Sequence, residues 1–298
     1  MAALYFSERL CGNLASGVFN LTDERIHRIR WSLRKPWHDK WVTIRLRFKL
    51  FWNWLCPGIP LPVKLPNGGW WFAVNDYNSD AIFSDVYEKK EQLFVGIFLK
   101  PGMTVIDIGA HHGFYALLAT KKVGPSGTVI AFEPSPRERK RLLFHLKVNR
   151  CTNVKVEPFA LAADDGESKF FIVEGRDTGC NSLRPPVVQD PVRSVKVQTM
   201  TLDHYLSNEA IHRVDFIKLD AEGSELDILR GAESLLNRPK RPVILFESSD
   251  TRTRPWNYKA KEIGEILLRY HYELFALDPD GRLVPSPQGE GNFVGVPK

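Results

Sequence analysis

Residues 214–231, VDFIKLDAEGSELDILRG, place Asp220, Glu222 and Glu225 within six positions, between an apolar run and an amphipathic one. So much negative charge in one turn costs free energy unless a ligand makes use of it. A second turn, in MTVIDIGAHHGFY at 103–115, follows another apolar run and carries Asp107, His111 and His112 among Gly109 and Gly113. Strand ends that open on glycine and carry carboxylates line the ligand crevice of open α/β sheets. The two turns therefore predict one cleft for a cationic or hydroxyl-rich ligand.

The glycines of Asp107-Ile108-Gly109-Ala110-His111-His112-Gly113 are four apart. That is not the GxGxxG spacing that sets a pyrophosphate on a helix N-terminus, so a dinucleotide-dependent oxidoreductase is disfavoured. Gly109 still permits a tight turn and close backbone approach. The next apolar run ends in Phe132-Glu133-Pro134, 26 residues after Asp107, where an acid can accept hydrogen bonds from both ribose hydroxyls. A nucleoside ligand without a pyrophosphate satisfies this combination, and S-adenosylmethionine is the common one. Its carboxylate suits the helix N-terminus after Gly113, and its ammonium and sulfonium suit the nearby acids. Singly, Asp107 has the lesser reading of a turn cap and Glu133 that of a solvated strand end; their joint spacing strengthens the cofactor reading further.

Methyl transfer from a sulfonium is an in-line displacement in which the protein supplies alignment. A hydroxyl acceptor must also lose its proton to a base. The candidate bases are His112 beside the first turn, Asp220 and Glu222 at the second, and Glu247, which ends the run VILFES. His112 reads equally as helix-start packing and Glu222 nearly so as a cap for a helix starting near Ser224, whereas Glu225 is expected on the helix surface. Two strand-end carboxylates, Asp220 and Glu247, are few ligands for a hard cation, so no metal is expected. Cys180 has no activating neighbour in sequence and is not expected to be a nucleophile.

The elements that must position these residues alternate strand and helix, the pattern of a parallel sheet. Strands are predicted at 103–108, 128–133, 153–157, 214–220 and 242–247, and helices at about 87–99, 113–122, 136–149, 224–236 and 259–270. A hairpin is predicted at 63–74, turning at Asn67-Gly68. Residues 160–200 interrupt the rhythm with two further strands around the loop GRDTGCNSLRPP, whose small polar residues suit acceptor recognition. The tail predicts antiparallel strands about Asp280-Gly281.

The runs VIDIGAHHGFY, FEPSP, TLDHYL and above all KLDAEGSELDILRG resemble the FkbM family of S-adenosylmethionine-dependent methyltransferases. The resemblance covers roughly residues 62–250 and excludes 1–56. It implies a class I methyltransferase, Rossmann-like α/β fold: a seven-stranded sheet of order 3-2-1-4-5-7-6 with strand 7 antiparallel. It also implies that Asp107, Gly109, Ala110 and Gly113 line the methionine end of the cofactor, and that Glu133, with Pro134 beside it, binds ribose. Phe159, Ala160 and Leu161 would flank the adenine, and Asn181-Ser182 would meet the acceptor. His111 departs from the asparagine usual after Gly-Ala, and a histidine there is larger and titratable. The acceptor is expected to be a hydroxyl of a sugar, glycolipid or secondary metabolite, with N-methylation of an amide or amine in a small molecule or peptide as the alternative.

The chain has 298 residues and a net charge of +6. Residues 1–50 hold ten Lys/Arg and four Asp/Glu, so the remaining 248 are balanced at 31 of each. The expected division is a basic, Trp-rich appendage at 1–56 and a methyltransferase domain at 57–298, separated by Pro57, Pro60, Pro62 and Pro66. Five of eight tryptophans fall in the appendage, and Trp41, Ile44, Phe48, Phe51 and Leu55 recur at helical spacing with Arg45, Arg47 and Lys49 between them. Ile44–Leu50 also alternates like a strand, but the stripe outruns the alternation and favours a helix. Such a helix would meet the main domain, a second copy or an anionic membrane surface, with nucleic acid disfavoured. No run approaches the about 18 apolar residues of a spanning helix, no secretory leader is read at the N-terminus, and four scattered cysteines form no CxxC, so a cytoplasmic protein is expected.

Overall fold

The computed structural model describes residues 37–286 and 289–298. The expectations for Cys11, Trp31 and the basic residues before 37 lie outside them. Contacts divide the chain into two compact units, Met1–Phe48 and Lys49–Lys298. The division falls inside helix α1 (Trp37–Leu55). The predicted stripe is therefore helical, and its second half belongs to the larger unit. Lys49 does not join the solvated basic residues. It is buried, and its ammonium reaches the carbonyl of Val74 at 2.6 Å and the carboxylate of Asp80.

Strands β1 (Leu61–Lys64) and β2 (Trp70–Ala73) form the hairpin about Asn67-Gly68. Helices α2 (Tyr77–Phe83) and α3 (Lys89–Phe98) lead into β3 (Thr104–Ile108). The alternation continues as α4 (Phe114–Val123), β4 (Thr128–Phe132), α5 (Pro136–Val148) and β5 (Val154–Glu157). A short strand, β6 (Ala160–Leu161), then pairs with β8 (Val192–Met200), which pairs antiparallel with β7 (Gly166–Val173). The small sheet thus accounts for both extra strands and holds the polar loop at its open end. After α6 (Leu202–Asn208) come β9 (Phe216–Leu219), α7 (Glu225–Arg230), α8 (Glu233–Leu236), β10 (Val243–Ser248), α9 (Asp250–Thr253) and α10 (Lys261–Arg269). The chain ends in β11 (Tyr272–Leu277), β12 (Leu283–Pro285) and β13 (Gly291–Pro297).

The large sheet runs β5-β4-β3-β9-β10-β13-β11-β12. Its first seven positions reproduce 3-2-1-4-5-7-6, and β13 is antiparallel to both neighbours, as expected of strand 7. The sheet has eight strands among the described residues, not seven, because the Asp280-Gly281 turn folds β12 back onto the edge of β11. The predicted helix over 224–236 is also corrected to two helices, α7 and α8. At Gly231 the chain passes so close to the β6 end that a Cβ would lie 2.2 Å from the carbonyl oxygen of Ala162.

The central strands read as unbroken apolar runs because both faces are covered. Val105, Val129 and Leu245 join one buried cluster, while Ile106, Ile130 and Ile244 join the other. Side chains alternate along a strand, so Asp107 shares a face with Val105 and interrupts an otherwise apolar row. Its register partner on β9 is Lys218. A buried acid and a buried cation side by side at the switch point of the sheet mark where the fold departs from packing logic.

Candidate active site

The two carboxylate turns meet. Beyond β3 the chain enters the left-handed region at Gly109 (φ 77°), and a Cβ there would lie 1.8 Å from the carbonyl oxygen of Asp220. The amides of Gly109 and Ala110 both donate to the Phe132 carbonyl, at 3.1 and 3.0 Å, drawing the turn across the end of β4. His111 and Glu222 also occupy the left-handed region, with φ of 49° and 53°. Non-glycine residues held there in facing turns store strain of the kind found at functional sites.

Between these turns lies a cleft of about 500 Å³ including its open mouth. Gly109, His111, Glu133, Pro134, Phe159, Ala160, Leu161, Asn181, Asp220 and Glu222 all line it. Gly109, His111 and Asp220 also line a second cavity, with Asp107, Ala110, His112, Tyr87, Tyr115 and Lys218. Glu133 stands in the first, accepting from the His111 amide at 2.7 Å and the Ser135 amide at 2.8 Å. Burial, and next the charge of Glu138, push its pKa up to about 8. Asp107 is 2 % exposed, and its Oδ2 has no hydrogen-bond partner. Burial pushes it up to about 7 against the attraction of Lys218. A buried carboxylate oxygen without a donor is suited to a cationic or N–H group, which fits the ammonium end of S-adenosylmethionine. Glu133, each of whose oxygens keeps a second lone pair, fits ribose hydroxyls.

Gly113 serves packing as much as any ligand. It has φ 87°, and a Cβ would strike Leu142 Cδ1 at 2.2 Å. His111 Nε2 lies 3.1 Å from Thr178 Oγ1, and burial lowers its pKa to about 3, so it is neutral and does not titrate near neutral pH. His112 is not brought to the acidic turn. It is 1 % exposed, 3.1 Å from Arg141 Nη1, near Asp76 and Glu138, and depressed to about 4 by burial.

At the second turn, Asp220, Glu222 and Glu247 each present an oxygen within 4.8 Å of the others, a spacing a metal ion could bridge. Two cations already serve the group: Lys218 Nζ lies 2.7 Å from Asp220, and Arg252 Nε 2.8 Å from Glu222. The Lys218 ammonium, with Arg252 and a hydrogen bond from Glu247, offsets burial and holds Asp220 below the usual carboxylate range. Burial and then the Asp220 charge push Glu247 well above it. Glu222 is raised to about 8, by burial first. Glu225 is corrected from surface to core. It is 1 % exposed, and its carboxylate takes the Ala221 and Gly223 amides, so it, not Glu222, serves the turn before α7.

The loop residues have structural partners as well. Asn181 Oδ1 accepts from the Val173 amide at 2.8 Å, and Ser182 Oγ donates to the Glu222 carbonyl at 2.8 Å, tying the loop to the acidic turn. Glu88, missed by the sequence reading, accepts from Tyr115 at 2.5 Å, and Lys218, which the sequence offers as a partner of the acids, lies 5.0 Å over the Tyr115 ring. No local signal announces Glu88; only its left-handed φ of 36°, seen once folded, marks it.

These shifts fix a pH dependence. An acid whose folded pKa is raised binds its proton more tightly folded than unfolded, so its ionisation destabilises the fold as pH rises. The depressed histidines act oppositely, but only up to their ordinary value of 6.5. Between pH 6.5 and about 8 the raised acids Asp107, Glu133, Glu222 and Glu225, with Glu247 raised beside them, set the slope. The melting temperature of ligand-free protein should therefore fall across that window in calorimetry, and Glu133→Gln should flatten the fall. A rising or level curve in the native protein would contradict the assigned shifts.

A family model described as the methyltransferase FkbM domain matches residues 107–274, more than half of the chain. The chain belongs to the FkbM methyltransferase family. The matched model is that of a methyltransferase domain, and the sheet order agrees with the class I fold expected of it. Relatives include the 31-O-demethyl-FK506 methyltransferase FkbM of Streptomyces tacrolimicus, 24% identical over 57% of this chain and 75% of its own length. The 2-O-methyltransferase NoeI of Sinorhizobium fredii is 25% identical over 65% of this chain and 82% of its own. The AMB antimetabolite synthetase AmbE of Pseudomonas aeruginosa is 23% identical over 72% of this chain, which spans only 12% of that much longer protein.

Proposed function

We propose that this FkbM-family protein methylates a hydroxyl of a sugar, glycolipid or secondary metabolite. The observation that carries the reading is the contact of Gly109 with the Asp220 carbonyl. It makes one cleft of the two carboxylate turns and sets Glu222 on the wall shared with Asn181. In this reading Glu133 and Pro134 hold the ribose, Phe159, Ala160 and Leu161 flank the adenine, and Asp107 receives the ammonium. S-adenosylmethionine supplies an electrophilic methyl group on its sulfonium. Glu222, poised near pH 8, takes the acceptor proton, while Asp220, Lys218 and Glu247 fix the charge beneath it. The O-methyltransferase names of two relatives support oxygen as the acceptor atom.

The test is transfer from methyl-labelled cofactor to a panel of polyols, glycosides, hydroxylated lipids and matched amines. Label on oxygen supports the reading, and label on nitrogen alone replaces it with N-methylation. EDTA is expected to leave the rate unchanged, because Lys218 and Arg252 already supply the positive charge at the acids. A loss restored by added magnesium would instead place a cation among Asp220, Glu222 and Glu247.

A further inference from the structure

The face of α1 that carries Phe51 and Trp54 has no counterpart in methyl transfer. Leu50, Phe51, Trp54 and Leu55 are all exposed, Trp54 to 76%, and Ile59 just beyond the helix is exposed too. Trp41 and Ile44, earlier on the same helix, are likewise exposed. The Phe51 and Trp54 rings lie 5.9 Å apart.

The helix is not free to turn these groups inward. Lys49 is fixed by Asp80 and the Val74 carbonyl, Trp52 Nε1 donates to the Ile59 carbonyl at 2.9 Å, and Asn53 reaches Asn75. One side of α1 is thus committed to the larger unit, and the aromatic side is committed outward.

Charge decides what meets it. The whole excess of positive charge in the chain, +6, resides in residues 1–50, which end on this helix, and Arg47 is exposed on it. A second copy would bring the same positive excess against itself. An anionic surface would be attracted. No described helix is long and apolar enough to cross a membrane. A basic helix with tryptophan and phenylalanine on its outer side is suited to lie in the interfacial plane. We propose that this face of α1 docks the protein onto an anionic lipid bilayer.

The experiment is sedimentation of the full chain with vesicles of phosphatidylcholine alone and of phosphatidylcholine mixed with phosphatidylserine, at low and high salt. The native protein is expected to partition onto the mixed vesicles, less so at high salt. The double variant Phe51→Ser, Trp54→Ser should lose about tenfold or more in partitioning, since both exposed rings of the face are removed. Its affinity for S-adenosylhomocysteine should be unchanged, which separates this outcome from misfolding and from failure of the methyltransfer reading. Quenching of native tryptophan emission by brominated lipid provides an independent measure that needs no variant. The proposal is overturned if the native chain ignores anionic vesicles or if the double variant binds them equally. It is also overturned if light scattering shows a native dimer that the double variant splits, because the occupant is then a second copy.

Discussion

Gly109→Ala is expected to cost about 3 kcal/mol or more in stability and to abolish binding of S-adenosylhomocysteine. Two independent penalties coincide there. The backbone at φ 77° disfavours any side chain, and the added methyl would sit 1.8 Å from the Asp220 carbonyl oxygen, inside covalent-contact range of an atom that is itself backbone. Relief requires β3 and β9 to separate at their ends, where the amide of Asp220 donates to Ile108 at 3.2 Å and closes the ladder. Gly96→Ala in α3 is the control. Its nearest neighbour is a flexible lysine carbon at 3.6 Å, so alanine should be neutral or stabilise by about 0.5–1 kcal/mol through helix propensity. Equal melting temperatures for the two variants would show that the turns do not depend on this contact.

Glu222→Gln is expected to lower turnover by about 10²–10⁴-fold with little change in cofactor affinity. Glu222 lines the cleft with Asn181 and Asp220, and its pKa near 8 lets a useful fraction ionise at working pH while keeping it basic. Asp220 is the weaker base because Lys218 holds its charge, and the raised pKa of Glu247 keeps its proton on. Turnover should therefore rise with pH toward 8 in the native enzyme, as Glu222 loses its proton, and the glutamine variant should lose that limb. A Glu222→Gln enzyme with native rate and pH profile would move the base to another group.

The strands and both carboxylate turns were legible because they depend on local signals, apolar runs of strand length with acids at their ends, whereas the sheet order came from the family resemblance. Asp107, Glu133 and Asp220 stand on the crevice because a parallel sheet aligns the ends of its strands. What escaped was set by distance in sequence. Arg252 reaches Glu222 because Gly223 lets the chains close, a Cβ there lying 2.3 Å from the Arg252 carbonyl oxygen. Glu225 follows helical spacing as a surface residue, yet the turn amides need an acceptor and draw it inside. TLDHYL helped to mark the family but serves the frame: Thr201 caps α6, and Asp203 accepts the amides of Ser234 and Leu235 at the start of α8. Lys49 shows the converse. A lysine in a basic helix reads as solvated until a buried aspartate-facing niche is seen.

Whether the strand-end cleft seats the cofactor is decided by calorimetric titration of the full chain with S-adenosylhomocysteine beside Asp107→Ala and Glu133→Ala. Saturable one-to-one binding is expected of the native protein, and its loss in both variants while each remains folded. Native binding that survives both substitutions, or no binding by the native chain, would contradict it.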